Sequence, residues 1–148
     1  MLDHVGGVTI NSKRNLYFER AGGYKMMELM KPYKLSEIIN TVAEKLKENG
    51  IENQILYEHM GFYVYTREWE DLAKPDIICY LDNPPEIDEE DNEIYPSFVI
   101  KENLKMFISD ENLENIISSA LFQKIEASTA ELIDAINYYM DNDCFIQF

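Results

Sequence analysis

One acidic stretch, Asp82 to Glu93, constrains the fold more than any other part of the chain. It reads DNPPEIDEEDNE and contains seven carboxylates and no cation. Its two consecutive prolines, Pro84 and Pro85, remove two backbone donors and fix φ, so the stretch cannot lie inside a helix or a central strand. Apolar runs at Ile77 to Leu81 and at Phe98 to Ile100 flank it and predict buried strands. The sequence therefore predicts a negatively charged surface loop that is held by a packed scaffold.

Length and composition indicate one globular domain. A chain of 148 residues with 46% hydrophobic and 28% charged residues is long enough to bury about two-thirds of its unfolded surface. The net charge of −15 is the unusual property. Because nucleic-acid affinity depends on Lys and Arg side chains that displace counterions, this charge argues against direct DNA binding. Binding to an anionic membrane is disfavoured for the same reason.

The excess of acids is concentrated in the second half of the chain. Residues 1–25 hold four cations and two acids, whereas residues 82–148 hold sixteen acids and three lysines. Crowded carboxylates raise one another's pKa values and repel each other, which destabilises the compact state. Surface acids are also retained for solubility alone, so the excess has this simpler explanation beside a functional one.

The two cysteines and the chain's hydropathy bear on its compartment. Cys79 and Cys144 are far apart and each has apolar neighbours, which predicts buried free thiols rather than a disulfide or a reactive site. Free thiols are typical of a reducing compartment. No apolar run is long enough to span a membrane, and the N-terminus lacks the basic-then-apolar order of a secretion signal. We therefore expect a soluble, cytoplasmic protein.

The first 25 residues have the least regular pattern. Residues 6–10 and 16–18 predict the two arms of a hairpin that turns at residues 11–13 and is ended by Gly22 and Gly23. The alternative is a weakly ordered extension, or a segment upstream of a natural start at Met26 or Met27. We accordingly expect an N-terminal hairpin or extension over residues 1–25 and a single α+β domain over residues 26–148.

Three amphipathic helices are predicted in the remainder. The first has Ser36 as its N-cap and Gly50 just beyond its end. The second begins near Asp110 and continues to Leu121 with apolar residues at helical spacing. The third opens with the capping box Ser128-Thr-Ala-Glu131. Its predicted buried face comprises Leu132, Ile133, Ile136, Tyr139 and Met140.

Strands are predicted between the first two helices. They lie at residues 54–58, 62–67, 76–81 and 98–100, with a hairpin around Met60-Gly61; residues 104–108 are a further strand or the approach to a helix, and residues 143–148 an added edge strand. Apolar and aromatic residues occupy both the odd-numbered and the even-numbered positions of residues 62–66. This strand should therefore be central and covered on both faces.

The order of these elements predicts the fold class. Because the helices come as a group instead of alternating with the strands, we predict an α+β fold. Its largely antiparallel sheet should contain about four to six strands, with about three helices packed on one face. A doubly wound parallel sheet is the weaker alternative.

Signatures of catalysis, cofactor binding or metal binding are missing from the sequence. His59 lies at the predicted hairpin turn, where an exposed imidazole is expected more often than a general base, and His4 lies in the irregular N-terminal segment. Neither a nucleophile elbow nor a phosphate-binding glycine motif is present. The acids from Asp88 to Glu93 lack the central glycine of a calcium loop, and Val99 occupies the position of its bidentate glutamate. We therefore predict a protein that is not an enzyme and has no cofactor or metal; an enzyme that uses His59 and nearby carboxylates is the least favoured alternative.

Recognition by charge fits the sequence better than catalysis does. An acidic loop accelerates association with a basic partner, while apolar side chains embedded in it provide the anchoring contacts. Trp69 and Tyr138 are weaker anchor candidates, which we expect to lie in the core. The predicted partner-binding residues are Asp82, Glu86, Ile87, Asp88, Glu89, Glu90, Asp91, Glu93, Ile94 and Tyr95.

A family resemblance points in the same direction. The segments that carry the resemblance are Trp69, Cys79-Tyr-Leu-Asp82, Pro96-Ser-Phe-Val99, Leu132-Ile-Asp-Ala-Ile-Asn-Tyr-Tyr139 and Asp143-Cys-Phe-Ile146. With the acidic spacer between them, they resemble small acidic bacterial proteins, some of which are encoded near secreted toxins. The chain thereby resembles the immunity proteins of contact-dependent inhibition and other polymorphic-toxin systems.

This resemblance covers about residues 35–148 and implies a function. Immunity proteins neutralise a cognate toxin, often a nuclease, by binding over its active site or a neighbouring surface. They share no catalytic motif, so the resemblance assigns no role to a particular residue. A nuclease must be basic where it holds phosphates, and an acidic inhibitor is complementary to it. The alternative partner-binding function is a DNA mimic that inhibits a nucleic-acid-binding defence enzyme, which predicts carboxylates spaced regularly along an elongated surface.

Overall fold

The computed structural model describes residues 2–5, 8–11, 15–20, 23–50, 61–67 and 72–148, with backbone only before residue 27 and at Asn49. The predicted α+β class is confirmed, and the described strand pairs are all antiparallel. In chain order the elements are β1 (Leu2–Val5), β2 (Val8–Asn11), β3 (Asn15–Arg20), β4 (Gly23–Glu28), β5 (Tyr33–Lys34), α1 (Leu35–Asn49), β6 (Tyr63–Thr66), β7 (Ile78–Asp82), β8 (Glu86–Ile87), β9 (Glu93–Ile94), α2 (Ser97–Lys101), β10 (Lys105–Ile108), α3 (Asp110–Gln123) and α4 (Thr129–Asn142).

The N-terminal strands form a four-stranded meander in the order β1-β2-β3-β4. Val8 lies opposite Phe18 and Ile10 opposite Leu16 in this sheet, so the pairing predicted for residues 8–10 with residues 16–18 is confirmed, whereas residues 6, 7, 12 and 13 of the predicted hairpin lie outside the described residues. The expected boundary after residue 25 falls within β4. Met27, near the end of β4, is buried in the same apolar cluster as α1. This strand therefore connects the meander to the main core.

The central sheet has the order β10-β6-β7-β5, so β6 is an interior strand as predicted. Val64 and Leu81 face a core that also contains apolar residues of α1, α3 and α4. Tyr65 faces the opposite way and packs with Val99 and Leu104. Both faces of β6 are therefore covered, which explains its lack of polar alternation. For residues 104–108, the strand alternative is the one that the structure adopts.

The start of α1 corrects the predicted Ser36 cap. The helix begins at Leu35, and Lys34 in the N-cap position makes no side-chain capping bond. The Leu35 amide donates to the Ile77 carbonyl at 2.9 Å, and the Ser36 amide donates to the Pro75 carbonyl at 3.0 Å. Backbone carbonyls of the neighbouring segment thus satisfy the first-turn amides that a side chain usually caps. At the other end, Gly50 has a φ of 83°, as expected for a residue that ends a helix.

The two C-terminal helices follow their sequence signals closely. Ser109 caps α3 through a 3.2 Å bond from the Asn112 amide to its Oγ. The capping box of α4 is confirmed, with the Ser128 and Glu131 side chains each accepting from the other residue's amide. The predicted inner face of α4 is also confirmed: Leu132, Ile133 and Ile136 are buried, and Tyr139 and Met140 pack against the core.

The strand predicted at residues 98–100 is wrong, because this segment forms the short helix α2. The Ile100 amide donates to the Pro96 carbonyl at 3.1 Å, and the Glu102 amide donates to the Phe98 carbonyl at 2.9 Å. Of the three apolar residues only Val99 is buried, whereas Ile100 is 66% exposed. Three apolar residues are too few to distinguish the period of a strand from that of a helix.

Three predictions of burial or pairing near the C-terminus also differ from the structure. Tyr138 is 38% exposed rather than in the core, and Cys144 is exposed although Cys79 is buried as predicted. No strand forms over residues 143–148. Instead the Gln123 side chain donates to the Ile146 carbonyl at 2.9 Å and accepts from the Phe148 amide at 3.0 Å. Side-chain bonds therefore replace the sheet pairing that was expected of this tail.

Some predicted features lie outside the described residues. These are the strand at residues 54–58, Met60 of the hairpin turn, His59 and Trp69. The side chain of His4 is likewise not among those described. Among the described helices, none is long and apolar enough to cross a membrane.

Candidate partner-binding surface

The acidic stretch folds into a small hairpin rather than an irregular loop. Strands β8 and β9 pair antiparallel, with Glu86 opposite Ile94 and Ile87 opposite Glu93. Residues 86–94 are called the acidic hairpin below. Directly opposite residues share a face of an antiparallel pair. Each face of the acidic hairpin therefore presents one isoleucine beside one glutamate.

Asp88 organises the turn of the acidic hairpin. Its Oδ1 accepts from the Glu90 amide at 2.8 Å and from the Asn92 amide at 2.9 Å. The Asp91 amide donates to the Asp88 carbonyl at 3.1 Å, and Asp91 has a φ of 63°. A turn followed by a left-handed residue is a common three-residue hairpin connection, and Asp tolerates that conformation. The amide bonds, first from Asn92 and then from Glu90, lower the pKa of the Asp88 carboxyl.

Tyr65 ties the acidic hairpin to the central sheet. Its hydroxyl donates to the Asn83 carbonyl at 2.7 Å, just before the hairpin begins. Burial, and after it the nearby charge of Asp82, raises the pKa of this fully buried tyrosine, so the hydroxyl stays a donor at neutral pH. Its ring makes an edge contact with the Tyr95 ring, with centroids 6.2 Å apart. One core residue thus contacts the chain at both ends of the hairpin.

Tyr95 in turn holds one acid of the hairpin. Its hydroxyl donates to Oε2 of Glu93 at 2.5 Å. This hydrogen bond is the main cause of the raised pKa of Tyr95, because the proton is shared with a carboxylate. Glu93 is therefore held against the base of the hairpin, whereas Asp88, in the turn, bonds backbone amides of the hairpin itself.

Nine of the ten predicted partner-binding residues reach the surface. Ile87 and Ile94 are 59% and 48% exposed. Asp88 and Tyr95 are partly exposed, and the five remaining hairpin acids are exposed. Asp82 is the exception, because it is only 3% exposed and its Oδ1 accepts from the Asn83 amide at 2.7 Å. It lies below the surface that the other nine residues form.

Two concavities adjoin the acidic hairpin and share Tyr95 as a wall. The first, of about 410 Å³, lies between the base of the hairpin and α2 and is called the acidic cleft below. It is lined by Met30, Asp82, Asn83, Pro84, Glu86, Ile94, Tyr95, Pro96, Ser97 and Phe98. The second, of about 340 Å³, lies between α2 and β10 and is more apolar, with the exposed side chains of Ile100 and Met106 in its lining. The sequence pattern indicated neither cavity, because their walls combine segments that meet only in the folded chain.

A second group of exposed apolar side chains lies elsewhere on the molecule. Phe122 and Ile125, at the end of α3 and just beyond it, are exposed, and so is Phe148 in the tail that Gln123 holds. Single exposed apolar residues are normal on a protein surface. Unlike the isoleucines of the acidic hairpin, these residues are not embedded in a run of carboxylates.

In the described part of the chain, no group of three or more His, Cys, Asp or Glu residues is placed to hold a metal ion. Among the hairpin acids, Asp88 bonds backbone amides and Glu93 accepts from the Tyr95 hydroxyl. The arrangement is that of an ordered, negatively charged protrusion.

Comparisons with known proteins assign a family to the chain. A family model described as "Domain of unknown function (DUF7716)" matches residues 54–148. This range contains the acidic hairpin, the acidic cleft's α2 wall and both C-terminal helices. No curated protein and no solved structure matches the chain significantly.

Proposed function

The chain belongs to the DUF7716 family, and from the charge and geometry of the acidic hairpin we propose that it is an immunity protein that binds and neutralises a cognate bacterial toxin. The partner would be a basic protein, a nuclease in the first instance, and the acidic hairpin would contact it. On this proposal the chain is not an enzyme, needs no cofactor and acts in the cytoplasm, where a nuclease toxin reaches nucleic acid.

The observation that most supports the proposal is the pair of exposed isoleucines on the acidic hairpin. Ile87 and Ile94 project from a two-stranded element that is otherwise acidic, and both are about half exposed. Apolar side chains ringed by charge are the usual composition of a protein-binding patch, in which the apolar groups are anchors. The ordered turn at Asp88 supports the same use, since a preformed element loses less entropy on binding.

Electrostatics favour a basic partner. Residues 82–100 contain no Lys or Arg, so the acidic hairpin carries charge of one sign only. A single-sign surface raises the rate of encounter with an oppositely charged protein, and this effect weakens as salt screens it. The active site of a nuclease is such a partner because it must hold phosphates.

The isoleucines also favour an immunity protein over a DNA mimic. A mimic of the DNA backbone needs regularly spaced charges and no apolar anchors, because phosphate contacts supply non-specific affinity. The acidic hairpin instead alternates acids with isoleucines on each face. Because Ile87 and Ile94 lie on opposite faces of the hairpin, a partner that buries both must contact both faces and offer apolar surface beside its basic groups.

The experiment is an affinity capture from the native host at low salt, followed by mass spectrometry of the proteins that high salt releases. The test variant combines Glu89→Lys, Glu90→Lys and Asp91→Asn; asparagine is used at position 91 because its φ of 63° strains a lysine. The matched control, Asp134→Lys, Asp141→Lys and Glu126→Gln, makes the same net change of charge at exposed positions away from the hairpin.

We expect one stoichiometric basic protein, encoded beside this gene, that the wild type and the control capture and the hairpin variant does not. Inhibition of that protein's toxic activity by the purified chain would complete the test. Capture of several unrelated nucleic-acid-binding proteins would replace the proposal with mimicry. Equal capture by the hairpin variant would remove the acidic hairpin from the interface.

A further inference from the structure

We propose that the acidic cleft binds an arginine side chain of the partner. The inference takes from the proposed function only that the partner is a basic protein. It adds which chemical group the surface recognises, and where. The cleft is distinct from the tip of the acidic hairpin, because it lies at the hairpin's base, between that base and α2.

The lining of the acidic cleft combines two carboxylates with two aromatic rings. Glu86 provides accessible acceptor oxygens, Tyr95 and Phe98 provide ring surfaces, and the buried Asp82 adds its negative charge from beneath. None of the described residues that line it is a Lys, Arg or His. A guanidinium group is planar and has five N–H donors, so it can bond a carboxylate through two donors while its face packs on a ring. The lining thus offers both kinds of contact that an arginine makes.

Size and burial suit a single side chain better than a large ligand. A volume of about 410 Å³ is near the lower end of small-molecule sites. Asp82 is 3% exposed and one of its carboxylate oxygens is fully buried, so it attracts a cation by its charge rather than by direct contact. Glu86, which is exposed and lines the cleft, is the carboxylate that the guanidinium would bond.

The same part of the molecule already contains an arginine packed on an aromatic ring. Cζ of Arg67 lies 5.6 Å from the centroid of the Tyr80 ring. The Tyr80 ring in turn packs on the Phe98 ring, with centroids 5.6 Å apart. Phe98 therefore lies between this internal arginine pair and the acidic cleft. An ammonium group has no flat face, so lysine would make fewer of these contacts.

The test is an NMR titration of the uniformly ¹⁵N-labelled protein with N-acetyl-arginine amide. Two comparison probes are titrated separately. They are N-acetyl-citrulline amide, which is the neutral analogue of the arginine probe, and N-acetyl-lysine amide. Glu86→Gln is the test variant, and Glu89→Gln is the matched control, because it removes one charge from the hairpin tip rather than from the cleft. Both positions are exposed, so neither change should impair folding.

We expect saturable shift changes at the amides of Asn83, Tyr95 and Phe98, with an affinity about tenfold weaker in Glu86→Gln and unchanged in Glu89→Gln. The citrulline probe should not saturate, and the lysine probe should bind less tightly than the arginine probe. Shifts spread over all exposed acids, equal weakening by the two variants, or equal binding of lysine would each overturn the inference.

The outcome is separable from that of the proposed function, because the probe is a small molecule and needs no toxin. Arginine binding in the cleft without any captured toxin would refute the immunity proposal alone. Conversely, capture and neutralisation of a toxin by a chain that does not bind the arginine probe would refute the cleft inference alone.

Discussion

Removal of one buried hydroxyl tests how the acidic hairpin is held. In Tyr65→Phe the ring remains and keeps its edge contact with Tyr95, while the 2.7 Å bond to the Asn83 carbonyl is lost. A buried hydrogen bond contributes about 0.5–1.5 kcal/mol net. Asn83 is partly exposed, so a water molecule can donate to its carbonyl in place of the lost hydroxyl. The cost of leaving a buried carbonyl without a donor therefore does not apply in full. We therefore expect a loss of about 1 kcal/mol in the free energy of unfolding.

Two measurements separate the global from the local effect of Tyr65→Phe. With a urea m-value of about 2 kcal/mol per molar, the unfolding midpoint should fall by about 0.5 M with the slope unchanged. Amide exchange of Asn92 and Ile94 should accelerate by about fivefold, the factor that corresponds to 1 kcal/mol. Tyr63→Phe, on the same face of β6 but only partly buried, is the matched control and should change both quantities less. An unchanged exchange rate in the hairpin of Tyr65→Phe would refute the tether.

Three further predictions concern the scaffold and the turn. Ile136→Ala should reduce the free energy of unfolding by about 2–5 kcal/mol through a cavity under α4, and a melting temperature equal to wild type would refute the assignment of this residue to the core. Ser128→Ala should cost about 1 kcal/mol in urea unfolding through loss of the helix cap, whereas Ala130→Ser, at an exposed position in the first turn, should cost less. Backbone amides lower the pKa of Asp88 in the folded turn, so its ionised form stabilises the hairpin above the ordinary aspartate pKa and this contribution is lost as pH falls through the lowered value. Protection of the Asn92 amide should therefore decrease as pH falls below the ordinary aspartate pKa, and Asp88→Ala should abolish that dependence.

The elements that could be predicted from the sequence are those whose signals are local. The capping box at Ser128 and the glycine at position 50 mark helix ends through bonds made within a few residues. The central position of β6 was predictable because apolar side chains on both parities need two packed faces. The fold class followed from the order of the elements, since consecutive strands followed by consecutive helices lack the strand–helix alternation of a doubly wound sheet.

The incorrect predictions concern features that depend on distant segments. The first-turn amides of α1 are bonded by carbonyls of Pro75 and Ile77, about forty residues away in sequence. Residues 98–100 belong to a helix with one buried side. Three consecutive apolar residues fit a helix and a strand equally well, so the sequence alone does not distinguish the two. Asp82 belongs to the acidic run in sequence but ends a buried strand, so its side chain lies in the floor of a cleft.

The candidate surface was predictable in charge but not in shape. Seven carboxylates with two isoleucines between and beside them indicated an acidic recognition element. Nine of the ten predicted partner-binding residues do reach the surface. The hairpin pairing and the turn at Asp88 were not anticipated, because strands of two residues have no measurable period. The role of Tyr65 was missed for a similar reason, since an aromatic residue in an apolar strand gives no sign of where its hydroxyl points.

Neutralisation in living cells tests the central claim most directly. The captured partner is expressed from an inducible promoter with wild-type chain, with the hairpin variant Glu89→Lys/Glu90→Lys/Asp91→Asn, or with the control variant Asp134→Lys/Asp141→Lys/Glu126→Gln, and growth is followed after induction. We expect the wild type and the control to restore growth, whereas the hairpin variant, present at equal level and folded, should not. Restored growth with the hairpin variant would contradict the claim that this chain neutralises its partner through the acidic hairpin.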